Sequence, residues 1–225
     1  MNKMHNNHGF NAILDKKRIS VVKEHFIGKS ALIVGCGHGN SIPHYISQFD
    51  NITIIEPEEN YCKEINKKYG MEMIEIINKK LEDTEPDKMY DTITCNNVLE
   101  HVHNPTEFLT KLRKWGHEWT NFIFTVPNAN SHNRLLGVQL GMLRNSKCLS
   151  DNDKSVGHQR MFDFNSLNDE IISNLFEIRK IGSYLYKPFT NDMMDKLPKD
   201  VQDYCLNLNV GFTGAEIYIV ARMVR

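Results

Sequence analysis

Three alternating glycines, Gly35-Cys36-Gly37-His38-Gly39, follow the apolar run Ala31-Leu32-Ile33-Val34, and this is the feature that most limits what the chain can become. A second apolar run, Ile52 to Ile55, closes on an acid, Glu56, 17 residues after Gly39. A strand, a glycine turn, a helix and a second strand ending in a carboxylate form a nucleoside-cofactor cradle. Glycine lets backbone approach a ligand closely because no Cβ stands in the way. An ionised carboxylate accepts hydrogen bonds from the two ribose hydroxyls. A dinucleotide fingerprint, G-x-G-x-x-G, needs its third glycine at position 40. Position 40 is Asn40, and the third glycine comes one residue early, at Gly39.

A chain of 225 residues suits one α/β domain with a sizeable core. With 27 basic and 28 acidic side chains the net charge is −1, so no global field draws it to nucleic acid or to an anionic membrane. Lys16-Lys17-Arg18 and Lys79-Lys80 are too short to change that and read as solvated faces. Cys36, Cys62, Cys95, Cys148 and Cys205 are odd in number, widely spaced and without a C-x-x-C pair. That argues against a disulfide framework or a zinc ribbon and fits a reducing cytosol. Met1 to Phe10 lacks a signal-peptide core, and no stretch reaches the roughly 20 apolar residues of a membrane span. The expectation is a cytoplasmic protein.

The hydrophobic pattern orders the elements. An amphipathic helix is predicted over Ile13 to Phe26, and strands over 31–34, 52–55, 73–77, 90–95 and 121–126. Helices fall between them at 41–49, 59–69 and 104–114. Asn104-Pro105-Thr106-Glu107 reads as a capped helix start, with Asn as cap, Pro at the first helical position and Glu two residues on. Alternation of strand and helix argues for a doubly wound, mostly parallel sheet. Beyond Pro127 the alternation breaks. A polar segment with a helical patch near 135–143 is followed by a helix over 164–175 and strands over 178–186 and 215–224.

The early third glycine resembles the first motif of class I S-adenosylmethionine-dependent methyltransferases. Tyr90-Asp91 and the block Asn96-Asn97-Val98-Leu99-Glu100-His101-Val102-His103-Asn104-Pro105 extend the likeness, because they are similar to the signature after strand four in the small-molecule branch. Gly157-His158-Gln159-Arg160-Met161-Phe162 resembles a later motif of that branch, which includes ubiquinone-type O-methyltransferases and bacterial sugar or glycan methyltransferases. The resemblance implies a seven-stranded, Rossmann-like α/β sheet with an antiparallel C-terminal strand. It also implies a single domain over 1–225, with a helical cap at 1–27, a cofactor core at 28–127, a substrate lid at 128–162 and closing sheet elements at 163–225. One position departs from the pattern. An acid often stands two residues before the first glycine, and here that place is Ile33; Asn40 or an N-terminal polar residue could supply its contacts.

The expected cofactor is S-adenosyl-L-methionine, held by Gly35, Gly37, Gly39, Glu56, Leu81, Glu82, Asp83 and Asn96, with the adenine near residues 81–83. Transfer from a sulfonium needs mainly alignment of nucleophile, methyl carbon and sulfur. A hydroxyl acceptor also needs a base, and His101 and His158 are the candidates. Arg134 and Arg160 could bind an anionic group of the acceptor. Asn, Ser and His in the lid favour a hydroxyl-rich acceptor such as a sugar or nucleotide sugar, while the apolar stripe of residues 135, 136, 140, 142 and 143 reads as a buried helix face. His101 and His103 have H-x-H spacing, but no carboxylate or cysteine is visibly arranged with them, so no metal is expected. A nucleotide-dependent oxidoreductase and an inactive cofactor-binding partner subunit are the alternative classes.

Overall fold

The computed structural model describes residues 9–224. Seven strands form one sheet: β1 (Ser30–Val34), β2 (Asn51–Ile55), β3 (Ile74–Ile77), β4 (Tyr90–Asn96), β5 (Gly116–Pro127), β6 (Phe176–Tyr184) and β7 (Glu216–Met223). Their spatial order is β3-β2-β1-β4-β5-β7-β6. The pairs from β3 to β5 are all parallel, and β7 lies antiparallel to both its neighbours. The doubly wound, mostly parallel sheet expected from the sequence is therefore present. Its antiparallel strand is not at the edge, however. β7 inserts between β5 and β6, so the last strand of the chain is covered on both sides.

The helices are α1 (Phe10–Val22), α2 (Ile42–Ile46), α3 (Glu59–Tyr69), α4 (Pro105–Arg113), α5 (His132–Gln139), α6 (Asp151–Ser155), α7 (Phe164–Ser173), α8 (Asn191–Met194) and α9 (Lys199–Asn207). Side chains alternate across each strand, which divides the core between two faces. Leu32 and Val34 of β1 join Ile93, Phe122 and Phe124 against Leu109 and Leu112 of α4 and Leu167 and Ile171 of α7. Ala31 and Ile33 point the other way, with Ile52, Ile54 and Val220, against Phe10, Ile19 and Val22 of α1, Ile42 and Tyr45 of α2 and Ile65 of α3. Buried on both faces, these strands read as continuous apolar runs.

Local signals hold at several element ends. Asn104 caps α4 by accepting from the Glu107 amide at 3.3 Å. Asp163 and Ser166 make a reciprocal capping box on α7. Other boundaries moved. The first helix begins at Phe10 and ends at Val22, with a 3₁₀ turn over Lys23–His25. The fifth strand starts at Gly116, before an irregularity in its pairing with β4. Residues 187–214, left without regular structure by the pattern, contain α8 and α9. Within residues 128–162, α5 buries Arg134 rather than its leucines: Leu135 and Leu136 are exposed, as are Leu140 and Met142 beyond its end. Among the described residues no helix is long and apolar enough to cross a membrane.

Candidate active site at the sheet switch point

Strand order reverses between β1 and β4, so the loops leaving their C-terminal ends diverge and open a crevice. Gly35, Gly37 and Gly39 line the β1 side, with φ of 68°, 51° and 70°, a region costly for side chains with a Cβ. Their surroundings differ. A Cβ on Gly35 would stand 2.7 Å from Val98 Cγ2, and one on Gly39 2.8 Å from Ile42 Cδ1. A Cβ on Gly37 would meet nothing within 4 Å. The outer two glycines allow the turn to pack on its own helix and loop. The middle one keeps an open face where a ligand can lie on bare backbone.

Glu56 ends β2 behind this turn and is buried. Its Oε2 accepts from the amides of Cys36 (3.0 Å) and Gly37 (3.1 Å), and its Oε1 from the amide of Glu58 (3.1 Å). A carboxylate offers about four acceptor sites, so a position remains for a ribose hydroxyl. The glycine cradle and this residual capacity fit an adenosyl cofactor. Glu56 also braces the glycine turn, which sequence reasoning did not assign to it.

Past β3, Leu81 is buried in the core with Val34 and Ile55, Glu82 is half-buried and Asp83 is exposed on a 3₁₀ turn. At the end of β4, Asn96 Nδ2 donates to Tyr45 Oη at 3.4 Å. Asn97 follows with φ 55° and donates from Nδ2 to Glu216 Oε1 at 3.2 Å. Asn97, quoted in the strand-four block but given no role from the sequence, thus links the end of β4 to β7. Its signal was an Asn directly after a strand, since Asn tolerates left-handed backbone.

His101 and His158 come together. Their ring centroids are 4.7 Å apart at an interplanar angle of 81°. The backbone enforces this meeting, because Gln159 N donates to Glu100 O at 2.7 Å and ties the segment before α7 to the loop after β4. Glu100 directly precedes His101 and clusters with both rings, one ligand atom of each of the three lying within 4.8 Å of the others. It is 1% exposed, and burial pushes its carboxyl up to about 8. His158 Nδ1 is 3.6 Å from Asp153 Oδ1. Burial raises the Asp153 pKa, but hydrogen bonds from Ser150 and Arg134 outweigh this and hold the carboxyl low.

Arg134 and Arg160 do not converge on one anion site. Arg134 is buried within residues 128–162, where Nη1 pairs with Asp153 Oδ2 at 2.9 Å and Nε donates to Ser146 O at 2.8 Å; Nη2 donates to Cys148 O. It braces this segment rather than facing a ligand, because its donors are taken by protein acceptors. Arg160 is half-buried and donates to His103 O at 2.9 Å. Lys187, after β6, is half-buried, and burial lowers its pKa against the opposing pull of Glu216 and Asp153.

The N-terminal helix closes the crevice on the β1 side. Arg18 pairs with Glu216 at the start of β7 (2.8 Å), and Asn40, one residue past Gly39, donates to Asp15 Oδ2 at 3.2 Å. Ile33 is buried in the core. Asp15 is thus an acid beside the glycine turn that arrives from another element.

A family model described as a methyltransferase domain matches residues 10–171. A ubiquinone biosynthesis O-methyltransferase of Rickettsia akari is 36% identical over 90 residues, which are 37% of this chain and 34% of that protein. An (S)-tetrahydroprotoberberine N-methyltransferase of Eschscholzia californica is 26% identical over 93 residues, 39% of this chain and 27% of that protein. The matched region thus spans about a third or less of either relative. A crystal structure of an S-adenosylmethionine-dependent methyltransferase from Mesorhizobium loti superposes with a TM-score of 0.67 at 11% identity, covering 92% of this chain and 97% of that one.

Proposed function

The chain belongs to the methyltransferase-domain family, and from that premise we propose that it transfers a methyl group from S-adenosylmethionine to a hydroxyl of a small polar molecule. The cofactor supplies a methyl on a sulfonium centre, already an activated leaving group. The protein's task is then to hold the ends of the reaction in line and to take up a proton. Gly37 offers bare backbone to the cofactor, Glu56 takes the ribose, and Leu81, Glu82 and Asp83 flank the adenine. Asn96 lies at the end of β4, beside the reacting end of the crevice. Asp15 and Asn40 serve the methionine end in place of the acid that Ile33 displaces.

The observation that carries this reading is the His101–His158 ring pair at the strand-four end of the switch point. An imidazole there can accept the hydroxyl proton near neutral pH. An amine acceptor attacks as the free base and needs no such pair, so the histidines favour O-methylation. The acceptor we favour is a sugar, nucleotide sugar or glycan precursor, on the strength of the Asn, Ser and His side chains of the lid, with Lys187 and Arg160 available to an anionic group. A phenolic, more apolar acceptor is the second reading. The exposed leucines of α5 support it, as does the ubiquinone-directed name of one relative.

Calorimetry with S-adenosylhomocysteine and with NAD tests the class. Binding of the first and not the second is expected, and the reverse overturns the reading in favour of an oxidoreductase. Glu56→Ala should weaken that binding by about 1–3 kcal/mol, since ribose hydroxyls lose their acceptor. Turnover of labelled S-adenosylmethionine over a panel of sugars, phenols and amines identifies the acceptor. His101→Ala should lower turnover by about 10²–10⁴ with cofactor affinity unchanged. Tight cofactor binding without turnover on any acceptor would make the chain a partner subunit instead.

A further inference from the structure

We propose that Glu100, His101 and His158 form a binding site for one divalent transition-metal cation of the Mn²⁺, Fe²⁺ or Zn²⁺ class. One carboxylate oxygen of Glu100 and one ring nitrogen from each histidine lie within 4.8 Å of one another. At metal–ligand distances of about 2.0–2.2 Å, donors to one ion stand no more than about 4.4 Å apart, so side-chain rotation of about an ångström closes the set.

The second, independent observation is the state of Glu100. Neither of its oxygens accepts a hydrogen bond from another described residue, although the side chain is 1% exposed. A buried carboxylate without partners is costly and demands either a proton or a cation. Arg18, a half-buried cation of the N-terminal helix, is already engaged by Glu216 and Asp15.

The surroundings match a ligand set in two further ways. The residues come from two segments locked together by the Gln159–Glu100 backbone bond, so their relative position does not depend on a mobile loop tip. Behind His158 stands Asp153, itself held by Arg134 and Ser150. A carboxylate behind the imidazole is the usual outer partner of a metal-ligating histidine. Two imidazoles and one carboxylate suit first-row transition cations better than Ca²⁺ or Mg²⁺, which prefer oxygen alone. His103, the partner suggested by H-x-H spacing, is exposed and outside the cluster; its carbonyl accepts from Arg160. The sequence expectation of no metal weighed His101 with His103; the proposed set takes Glu100 and His158 with His101 instead.

Three protein donors leave coordination positions open, and an oxygen bound there is acidified. A histidine lone pair on the cation is not available as a base. Resting on the methyl-transfer reading, an acceptor hydroxyl bound to the cation would release its proton to solvent water, and the two histidines would then serve as ligands in place of the base role considered above.

The test uses the full chain stripped with a chelator and titrated calorimetrically with Mn²⁺ and separately with Zn²⁺. One equivalent should bind to this site. Glu100→Gln and His158→Asn should each weaken binding at least about tenfold, and His103→Ala should leave it unchanged. Circular dichroism reports whether each variant folds, and if Glu100→Gln does not, His158→Asn carries the test. Absence of stoichiometric binding, or loss through His103→Ala alone, or no effect of the two ligand variants, overturns the site. S-adenosylhomocysteine titrated without metal tests the cofactor reading by itself, so either idea can fail while the other stands.

Discussion

Arg18 Nε lies 2.8 Å from Glu216 Oε2, and Arg18 Nη2 lies 2.5 Å from Oε1, a two-pronged ion pair between the N-terminal helix and the first residue of β7. Glu216 also accepts from Tyr184 and from Asn97, so helix, sheet and the strand-four loop converge on one buried carboxylate. Burial raises the Glu216 pKa, but the Arg18 charge and these bonds prevail and hold it low. Arg18→Met strands that charge, and the expected cost is about 3–5 kcal/mol in urea unfolding. Arg18→Met combined with Glu216→Gln should recover part of it. A single variant within about 1 kcal/mol of the parent contradicts this role.

Gly37→Ala and Gly39→Ala should separate binding from packing. Both positions have positive φ, which costs an alanine about 1 kcal/mol. At Gly39 the new methyl also meets Ile42 Cδ1 at 2.8 Å and Ile65 Cγ1 at 3.0 Å. Gly39→Ala should therefore be the less stable variant. Gly37→Ala, with open space around its methyl, should lose more S-adenosylhomocysteine affinity. Equal thermal stabilities with equal affinities would show that Gly37 does not face the cofactor.

Asp15 is expected to matter for the cofactor more than for the fold. It is partly exposed, and its pair with Arg18 is worth little by itself. Its other oxygen accepts from Asn40, beside the glycine turn. Asp15→Ala should weaken S-adenosylhomocysteine binding by about 1–3 kcal/mol while unfolding stability changes by less than about 1 kcal/mol. Unchanged affinity in calorimetry removes it from the site.

Acid pH should expose the cap of α7. Burial raises the Asp163 pKa, but bonds from Lys147 and Ser166 outweigh it and hold the carboxyl at about 2. Its ordinary value in the unfolded chain is about 3.9. A depressed carboxylate stabilises fully above the unfolded value, and that contribution fades as pH falls from about 4 through 2. Asp163→Ala should cost about 1 kcal/mol at pH 7 through the lost cap. The gap from the parent should narrow in urea titrations between pH 5 and 2.5. A constant gap over that range would assign the cap no ionic component.

Much of this protein was determined locally, within the chain. The apolar run 31–34, the glycines and Glu56 specify a strand, a turn and an acid through contacts between near neighbours, and Asn104 with Glu107 starts α4 in the same way. Such features depend on backbone sterics and on hydrogen bonds over a few residues, so a sequence displays them. Tertiary structure alone decided the rest. Inserting β7 between β5 and β6 needs a pairing between distant strands that no local pattern encodes. Arg134 looked like an anion ligand because it sits in a polar segment, yet Asp153, 19 residues on, claims it. His158 joins His101 and Glu100 across 57 residues because one backbone hydrogen bond pins the segment before α7 to the loop after β4. Isolation of the Glu100 carboxylate is a property of burial, which belongs to the assembled core and to no stretch of sequence.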